Sequence, residues 1–197
     1  MNVNDNINME YEARVLITPE QYLTIKNKYL SENRNFKEIV NENYYFDTPE
    51  QFLTNYNMVL RIRTINDEKT ELTLKIQEEK GCLEINQSLT SELKDINFEK
   101  IEITNKEILN RLKEINIKPG DLKLITSLKT ERIEIQFPDY LFVIDKNYYR
   151  GKVDYNLEVE SVTKNDANRY LFEIISEFGI EYKKDCISKS KRAICNL

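Results

Sequence analysis

The sequence predicts an α+β fold, in which a large curled antiparallel sheet or barrel carries helices on its outside. Segments that alternate apolar and polar residues, as half-buried strands do, recur seven or eight times along the 197 residues. Short turn signals such as Pro138-Asp139 and Arg150-Gly151 separate several of them, which indicates antiparallel neighbours. No linker interrupts the pattern, so we expect a single domain over residues 1–197.

The first predicted strand, residues 9–17, reads MEYEARVLI and places a charge at every second position for three steps. Successive side chains of a strand point to opposite faces, so Glu10, Glu12 and Arg14 share one face. Taken alone, this pattern is typical of a strand with one solvated face. Whether these charges belong to a binding site depends on the charged faces of the other predicted strands.

The elements that follow are predicted from capping and periodicity. Thr18-Pro19-Glu20-Gln21 supplies an N-cap, a proline at N1 and a glutamine at N3, which predicts a helix of about 15 residues. Alternating residues then predict four strands, over about 41–48, 58–65, 70–78 and 81–88.

The second half begins with a segment, 91–116, in which we expect one or two helices. Thr104-Asn105-Lys106-Glu107 reads as a second capping box there. Three further strands are predicted over about 123–136, 140–149 and 152–162, and then a helix over about 164–178 that ends at Gly179. Residues 180–197 fit a strand or a helix equally well.

Composition excludes several function classes. The chain contains no histidine, which removes Ser/His and Cys/His nucleophile systems and HExxH metal sites. A metal would have to be bound by oxygen, which favours Mg²⁺, Mn²⁺ or Ca²⁺. The net charge of −5 gives no general attraction to nucleic acid. An anionic ligand would therefore need a local basic site.

Location is predicted from the cysteines and from hydropathy. Cys82, Cys186 and Cys195 are odd in number and lack CxxC spacing, so we expect reduced thiols rather than disulfides or a zinc cluster. No apolar run approaches the roughly 20 residues of a bilayer span. Residues 1–8 are polar and have no apolar core of a signal peptide. We expect a cytoplasmic protein without membrane association.

The charged faces of the predicted strands are sorted by sign. Carboxylates concentrate on the first and penultimate segments, at Glu10, Glu12, Glu158 and Glu160. Cations concentrate on the strands between them, at Arg61, Arg63, Lys75 and Arg132. Unpaired charges confined inside a barrel would cost several kcal/mol each, so such an interior needs a metal and an anion to fill it. We expect a polyphosphate with a divalent cation, the glutamates holding the metal and the cations gripping phosphate oxygens. The role of Asp145 stays open between this site and a turn or cap.

A set of short motifs runs along the chain in a fixed order. It opens with Glu10-Tyr11-Glu12-Ala13-Arg14 and continues with Tyr45-Phe46-Asp47-Thr48, Leu60-Arg61-Ile62-Arg63, Leu74-Lys75, Thr130-Glu131-Arg132, Val143-Ile144-Asp145, Asp154-Tyr155-Asn156-Leu157-Glu158-Val159-Glu160 and Ser188-Lys189-Ser190-Lys191. In this order the motifs resemble the CYTH, or triphosphate tunnel metalloenzyme, family, and most closely its small single-domain bacterial members. The first motif matches that family's ExExK strand with arginine in the last place, where a role that needs a neutral lysine is not expected.

The resemblance implies a closed eight-stranded antiparallel barrel that forms a tunnel, with helices outside, and hydrolysis of a terminal phosphate with Mg²⁺ or Mn²⁺. By position, the metal ligands would be Glu10, Glu12, Glu158 and Glu160. The phosphate-binding residues would be Arg14, Arg61, Arg63, Lys75, Arg132 and either Lys189 or Lys191.

For the mechanism, we expect direct attack of water on the terminal phosphorus. Glu12 or Glu160 would orient the water, while Lys75 and Arg132 would neutralise developing charge. The expected partner is a triphosphate-containing small molecule rather than nucleic acid, and the protein a monomer or homodimer. Two alternatives stay open, a class IV adenylyl cyclase and a non-catalytic module that binds polyphosphate or a nucleotide.

Overall fold

The computed structural model describes residues 7–32, 35–79, 81–89, 97–99 and 101–195. In chain order the strands are β1 (Ile7–Ile17), β2 (Phe36–Asp47), β3 (Met58–Ile65), β4 (Lys69–Gln77), β5 (Cys82–Leu89), β6 (Lys123–Gln136), β7 (Tyr140–Tyr149) and β8 (Lys152–Ser161). The helices are α1 (Pro19–Ser31), α2 (Phe52–Asn55), α3 (Lys106–Glu114), α4 (Lys164–Ser176) and α5 (Lys189–Cys195).

The strands close into an antiparallel barrel. Across the described ranges their order is β1-β5-β4-β3-β2-β6-β7-β8. The predicted α+β class and the closed eight-stranded barrel implied by the family resemblance are therefore confirmed. The chain forms two compact units, a first unit built mainly from residues 41–128 and a second unit built from residues 10–40 and 129–197. The single-domain organisation over 1–197 stays a prediction.

The core of the first unit lies on the apolar face of β3, β4 and β5. Leu60, Leu74 and Ile85 are fully buried and pack with Ile108 and Leu112 of α3. These strand residues alternate with charged ones, as the period of two requires. The polar side chains of β3 to β5 therefore occupy the face opposite α3.

The start of α3 differs from the prediction by one residue. The N-cap is Asn105, whose side chain accepts hydrogen bonds from the backbone N–H groups of Glu107 and Ile108. Asn105 is held in place because its backbone N–H donates to Gln87 Oε1 at 2.9 Å and its Nδ2 to the backbone carbonyl of Asn86 at 3.2 Å. The backbone N–H of Thr104 donates to the same Gln87 oxygen at 2.8 Å, so the contact that distinguishes Asn105 is the one from its side chain to Asn86. Residues 91–96 of the predicted helical segment lie outside the described residues.

The core of the second unit lies on the apolar face of β1, β6, β7 and β8. It is formed by buried strand residues such as Ala13, Ile144 and Leu157, against Ile25 of α1 and Leu171 of α4. The capping box at the start of α1 is present as predicted. As in the first unit, the helices cover the apolar face and leave the charged faces of the strands on the other side.

The turns confirm the predicted hairpin between β7 and β8. Arg150 and Gly151 have φ values of 47° and 75°, and the glycine adopts this left-handed conformation without strain. After α4, Gly179 has a φ of 64°, although the helix itself ends at Ser176, two residues before the predicted end. Among the residues described, no helix is long and apolar enough to cross a membrane.

Candidate active site

Strand pairing brings the predicted acids of the second unit together. In the antiparallel ladder of β1 and β8, Glu12 lies opposite Glu160 and Arg14 lies opposite Glu158. Directly opposed side chains share a face of the sheet at Cβ separations of about 5 Å. Two motifs that are more than 140 residues apart in the chain, roughly Glu12 to Glu158, thus form one cluster.

Three carboxylates of this cluster are close enough to share one metal ion. One oxygen each from Glu12, Glu158 and Glu160 lies within 4.8 Å of the other two. The donor set consists of hard oxygen atoms, which suits Mg²⁺ or Mn²⁺. The residues present therefore fit the metal that the sequence predicts. Glu10 lies on the same face of β1 and is half-buried, but it is not one of the three.

Cations surround these carboxylates and keep Glu158 ionised. Arg132 Nη2 donates to Glu158 at 2.9 Å, Lys189 Nζ lies 3.1 Å from the same carboxylate oxygen, and Arg14 forms an ion pair with Glu12. Burial by itself would raise the pKa of Glu158, but the charges of Lys189, Arg132 and Arg14 lower it below its ordinary value. An ionised carboxylate is the form that binds a metal ion.

Asp145 lies inside β7 and contacts this cluster, so it is neither a turn residue nor a helix cap. Its side chain is fully buried, and Arg132 grips it with two hydrogen bonds, Nε to Oδ1 at 2.9 Å and Nη2 to Oδ2 at 3.0 Å. Lys189 Nζ contacts the same carboxylate. Burial acts to lower the pKa of Arg132, but the charges of Asp145 and Glu158 raise it well above its ordinary range. Asp145 therefore fixes the direction in which Arg132 presents its guanidinium.

Two cations of the first unit, Arg61 and Lys75, form a second cluster around Glu84, and Arg63 lies on the same strand as Arg61. Lys75 lies opposite Glu84 in the β4–β5 ladder and forms an ion pair with it, and Arg61 Nη2 lies 3.9 Å from the same carboxylate. Arg63 Nε donates to Asn43 Oδ1 at 2.9 Å. Arg61 is 6% exposed, and within the described part of the chain its Nε donates no hydrogen bond. A buried donor of this kind suits an anionic ligand.

Glu84 is a residue to which sequence reasoning assigned no role. The alternation of β5 places it on the polar face, but only the strand register shows that it faces Lys75. The sequence feature that could have indicated this contact is the pair of opposite charges, Lys75 and Glu84, at facing positions of the β4–β5 hairpin. Its buried carboxylate holds Lys75 and partly neutralises the cationic cluster.

The structure also separates the two candidate lysines near the C-terminus. Lys189 extends its Nζ to Asp145 and Glu158, whereas Lys191, two positions later on α5, is exposed. Residues two apart on a helix face different directions, so only one of the two can point into the cluster. The geometry selects Lys189.

Comparison with known proteins identifies related chains. The family model for the CYTH domain matches residues 8–193. A candidate triphosphatase of Bacillus subtilis, YjbK, is 27% identical over 176 residues, which cover 89% of this chain and 90% of that protein. A candidate adenylate cyclase of Bacillus halodurans is 27% identical, and its crystal structure superposes with a TM-score of 0.82 over 94% of this chain and 97% of that one.

A plant protein has the same fold at lower identity. It is HpAC1 of Hippeastrum, a candidate adenylyl cyclase described as having a dominant triphosphatase activity. The two chains are 19% identical and superpose with a TM-score of 0.79 over 95% of this chain and 96% of that one. At this identity the similarity concerns the fold alone.

Proposed function

This chain belongs to the CYTH domain family, and on that premise we propose that it is a divalent-metal-dependent triphosphatase that removes the terminal phosphate of inorganic triphosphate or a small organic triphosphate. The observation that carries the proposal is the set of three carboxylate oxygens within 4.8 Å, from Glu12, Glu158 and Glu160. Three acids so close together on one face of the β1–β8 ladder repel each other, and a bound divalent cation would offset that repulsion in addition to Arg14, Arg132 and Lys189. The similarity to the Bacillus subtilis candidate triphosphatase supports the same activity.

The three glutamates differ in exposure, and we assign them different roles on that basis. The side chain of Glu158 is 3% exposed and suits a purely structural ligand, whereas Glu12 and Glu160 are 20% and 32% exposed and can reach water. When bound, Mg²⁺ or Mn²⁺ supplies charge neutralisation at phosphate oxygens and activation of water. Glu12 or Glu160 then orients the attacking water toward the terminal phosphorus. Glu10 stays a proposed fourth ligand on the evidence of its strand face alone.

The basic residues bind the phosphates and offset the charge that develops during transfer. We assign Arg132 and Lys189 to this role because both contact the carboxylate cluster, and Arg14 because it pairs with Glu12. For the first unit, Arg61, Arg63 and Lys75 stay proposed phosphate-binding residues, as the family resemblance implies. Positioning and charge neutralisation supply most of the catalysis of phosphoryl transfer, so no covalent intermediate is needed.

A cytoplasmic location is part of the proposal. The three cysteines are free thiols, which suits a reducing compartment. The substrate pool of such an enzyme would be the small triphosphates of that compartment.

A phosphate-release panel tests the function. Wild-type protein would be incubated with inorganic triphosphate, pyrophosphate, ATP and thiamine triphosphate, each with Mg²⁺, with Mn²⁺ and with chelator. We expect phosphate release from a triphosphate that chelator abolishes and that Glu12→Gln reduces strongly. The matched control is Glu173→Gln, which removes an exposed carboxylate of α4 and should leave the rate unchanged.

Three outcomes would overturn the proposal. Formation of cyclic AMP and pyrophosphate from ATP, without phosphate release, would indicate an adenylyl cyclase. Tight binding of triphosphate without turnover, in the presence of either metal, would indicate a non-catalytic binding module. Activity that survives both chelator and Glu12→Gln would remove the metal mechanism.

A further inference from the structure

Helix α5 is held against β8 by a buried ion pair outside the carboxylate cluster. Arg192 is 4% exposed, and its guanidinium grips Asp154 with two hydrogen bonds, Nε to Oδ2 at 2.7 Å and Nη2 to Oδ1 at 2.9 Å. Nη2 also donates to Asn156 Oδ1 at 3.1 Å. No motif of the sequence analysis assigned a role to Arg192.

Asp154 is itself fixed by the strands. Its carboxylate accepts hydrogen bonds from Tyr149 Oη at 2.6 Å and from Asn147 Nδ2 at 2.9 Å, in addition to the two from Arg192. Asn147 lies opposite Asp154 in the β7–β8 ladder, and Tyr149 lies at the end of β7. The acceptor that Arg192 grips is therefore part of a rigid hairpin rather than a mobile side chain.

Arg192 and Lys189 reach neighbouring positions of the same hairpin. They are three residues apart on α5 and therefore lie on one face of the helix. Lys189 contacts Asp145 and Glu158, while Arg192 contacts Asp154 and Asn156, and Asn156 lies opposite Asp145 in the ladder. The helix is thus attached to β7 and β8 at two heights, one in the carboxylate cluster and one beyond it.

A second contact holds the end of the helix. Arg150, in the turn between β7 and β8, donates from Nε to the backbone carbonyl of Ala193 at 2.8 Å. Ala193 is fully buried. The C-terminal part of α5 is thereby held against the end of the β7–β8 hairpin. The first residue of the helix, Lys189, extends its side chain to the carboxylate cluster.

We propose that Arg192 is a positioning residue, which acts through Lys189 by holding α5 at the height where the lysine enters the carboxylate cluster. The inference rests on the proposed function for its kinetic consequence, because Lys189 is there a phosphate-binding residue. A buried ion pair stabilises a fold poorly compared with apolar packing of the same size. A bidentate guanidinium–carboxylate pair does, however, fix both distance and direction. The pair therefore fixes the position of α5, in addition to the stability that it contributes.

The first test measures the position of Lys189 directly and requires no activity. Protein would be treated with limiting acetic anhydride, and the acetylation rate of each lysine would be followed by mass spectrometry. The side chain of Lys189 is 15% exposed and that of Lys183 is 80% exposed, so Lys183 serves as the internal reference. In Arg192→Gln and in Asp154→Asn, we expect the acetylation rate of Lys189, divided by that of Lys183, to be several-fold higher than in wild-type protein. Arg169→Gln, which removes an exposed Arg–Asp pair, should change nothing.

The second test asks whether Arg192 acts through Lys189. A double-mutant cycle would compare Lys189→Met, Arg192→Gln and the combined variant in triphosphate hydrolysis with saturating metal. We expect each single change to raise KM about tenfold. The combined variant should be no worse than Lys189→Met alone, because a residue that acts through another has no effect once the other is gone. Arg192→Lys, which keeps the charge but loses the fork, should restore the wild-type KM only in part.

Unchanged acetylation of Lys189 in both folded variants, or additive effects in the cycle, would overturn the inference. Circular dichroism establishes that each variant is folded, and Arg192→Lys replaces Arg192→Gln in the acetylation experiment should the latter not fold. If wild-type protein hydrolyses no triphosphate, the proposed function falls, while the acetylation rates still decide whether Arg192 positions Lys189.

Discussion

Glu12 and Glu160 lie directly opposite each other on the adjacent strands β1 and β8. Like charges at opposed positions of a sheet are destabilising, by roughly 0.2–1 kcal/mol. Glu12 has Arg14 as a close partner, whereas the distance from Glu160 to Arg132 Nη1 is 3.9 Å. A cation bound between these two carboxylates would offset their repulsion.

We expect Glu160→Gln to separate stability from activity. The change removes one of two opposed charges, so the free energy of unfolding in chelator should equal that of wild-type protein or exceed it by up to about 1 kcal/mol. Phosphate release from triphosphate should fall by at least about 100-fold, because a metal ligand is lost. Urea unfolding and a phosphate assay on the same samples measure both. A clear loss of stability in chelator would contradict the interpretation of the pair as a metal site.

Asp145→Asn should be among the most destabilising single changes in the second unit. It leaves the guanidinium of Arg132 buried without its bidentate partner, and breaking a buried pair from one side costs about 3–5 kcal/mol. Urea unfolding at neutral pH measures the difference. The control is Glu173→Gln, which alters an exposed Glu–Arg pair on α4 and should leave the unfolding midpoint unchanged. Equal midpoints for wild type and Asp145→Asn would show that the buried pair contributes nothing.

Arg61→Met should weaken substrate binding more than turnover. Its guanidinium is buried with a spare donor, and a hydrogen bond to a charged group contributes about 1.5–3 kcal/mol. We therefore expect KM for triphosphate to rise about 10- to 100-fold, with a smaller change in kcat. Arg111→Gln removes an arginine from a surface pair with Glu107 in the same unit and serves as the control. Unchanged KM in Arg61→Met would exclude this arginine from phosphate binding.

The pair of Asp154 and Arg192 predicts how stability depends on pH. Burial acts to raise the pKa of Asp154, but hydrogen bonds from Arg192 and Tyr149 lower it below the ordinary value of 3.8. A carboxyl whose folded pKa is lowered stabilises the fold above its unfolded pKa, and this contribution is lost as the pH falls through the folded pKa.

We therefore expect wild-type protein to have a higher free energy of unfolding than Asp154→Asn at pH 6. The difference between the two proteins should become smaller as the pH is lowered from about 4 toward 2. Urea unfolding of both proteins over this range provides the measurement. A difference in free energy of unfolding that stays constant, or increases in acid, would show that the ionised carboxylate is not the stabilising form.

The fold could be predicted because its signals are local and repeated. Alternation along each strand fixes which residues share a face, and the capping box at Thr18 lies within a single turn, so the prediction needed no tertiary contact. The exceptions depend on distant residues. The N-cap of α3 is Asn105 rather than Thr104 because the Asn105 side chain also bonds the backbone of Asn86. Helix α5 has only seven residues, and it contacts the strands through the charged side chains of Lys189 and Arg192 rather than through an apolar stripe.

The sequence predicts which face of each strand carries the site residues, but not which of these residues contact each other. The alternation of Glu12, Glu158 and Glu160 places each on the polar side, whereas the register that makes Glu12 face Glu160 depends on the whole sheet. Asp145 and Glu84 were not assigned because a single acid in a strand carries no sign of the cation opposite it until the ladder is known.

Anomalous scattering from a crystal soaked in Mn²⁺ is the most direct test of the central claim that three carboxylates bind a catalytic metal. Our account predicts an anomalous peak ligated by oxygens of Glu12, Glu158 and Glu160, absent from crystals of Glu12→Gln. A map without a peak there, in which those carboxylates contact only Arg14, Arg132 and Lys189, would contradict it.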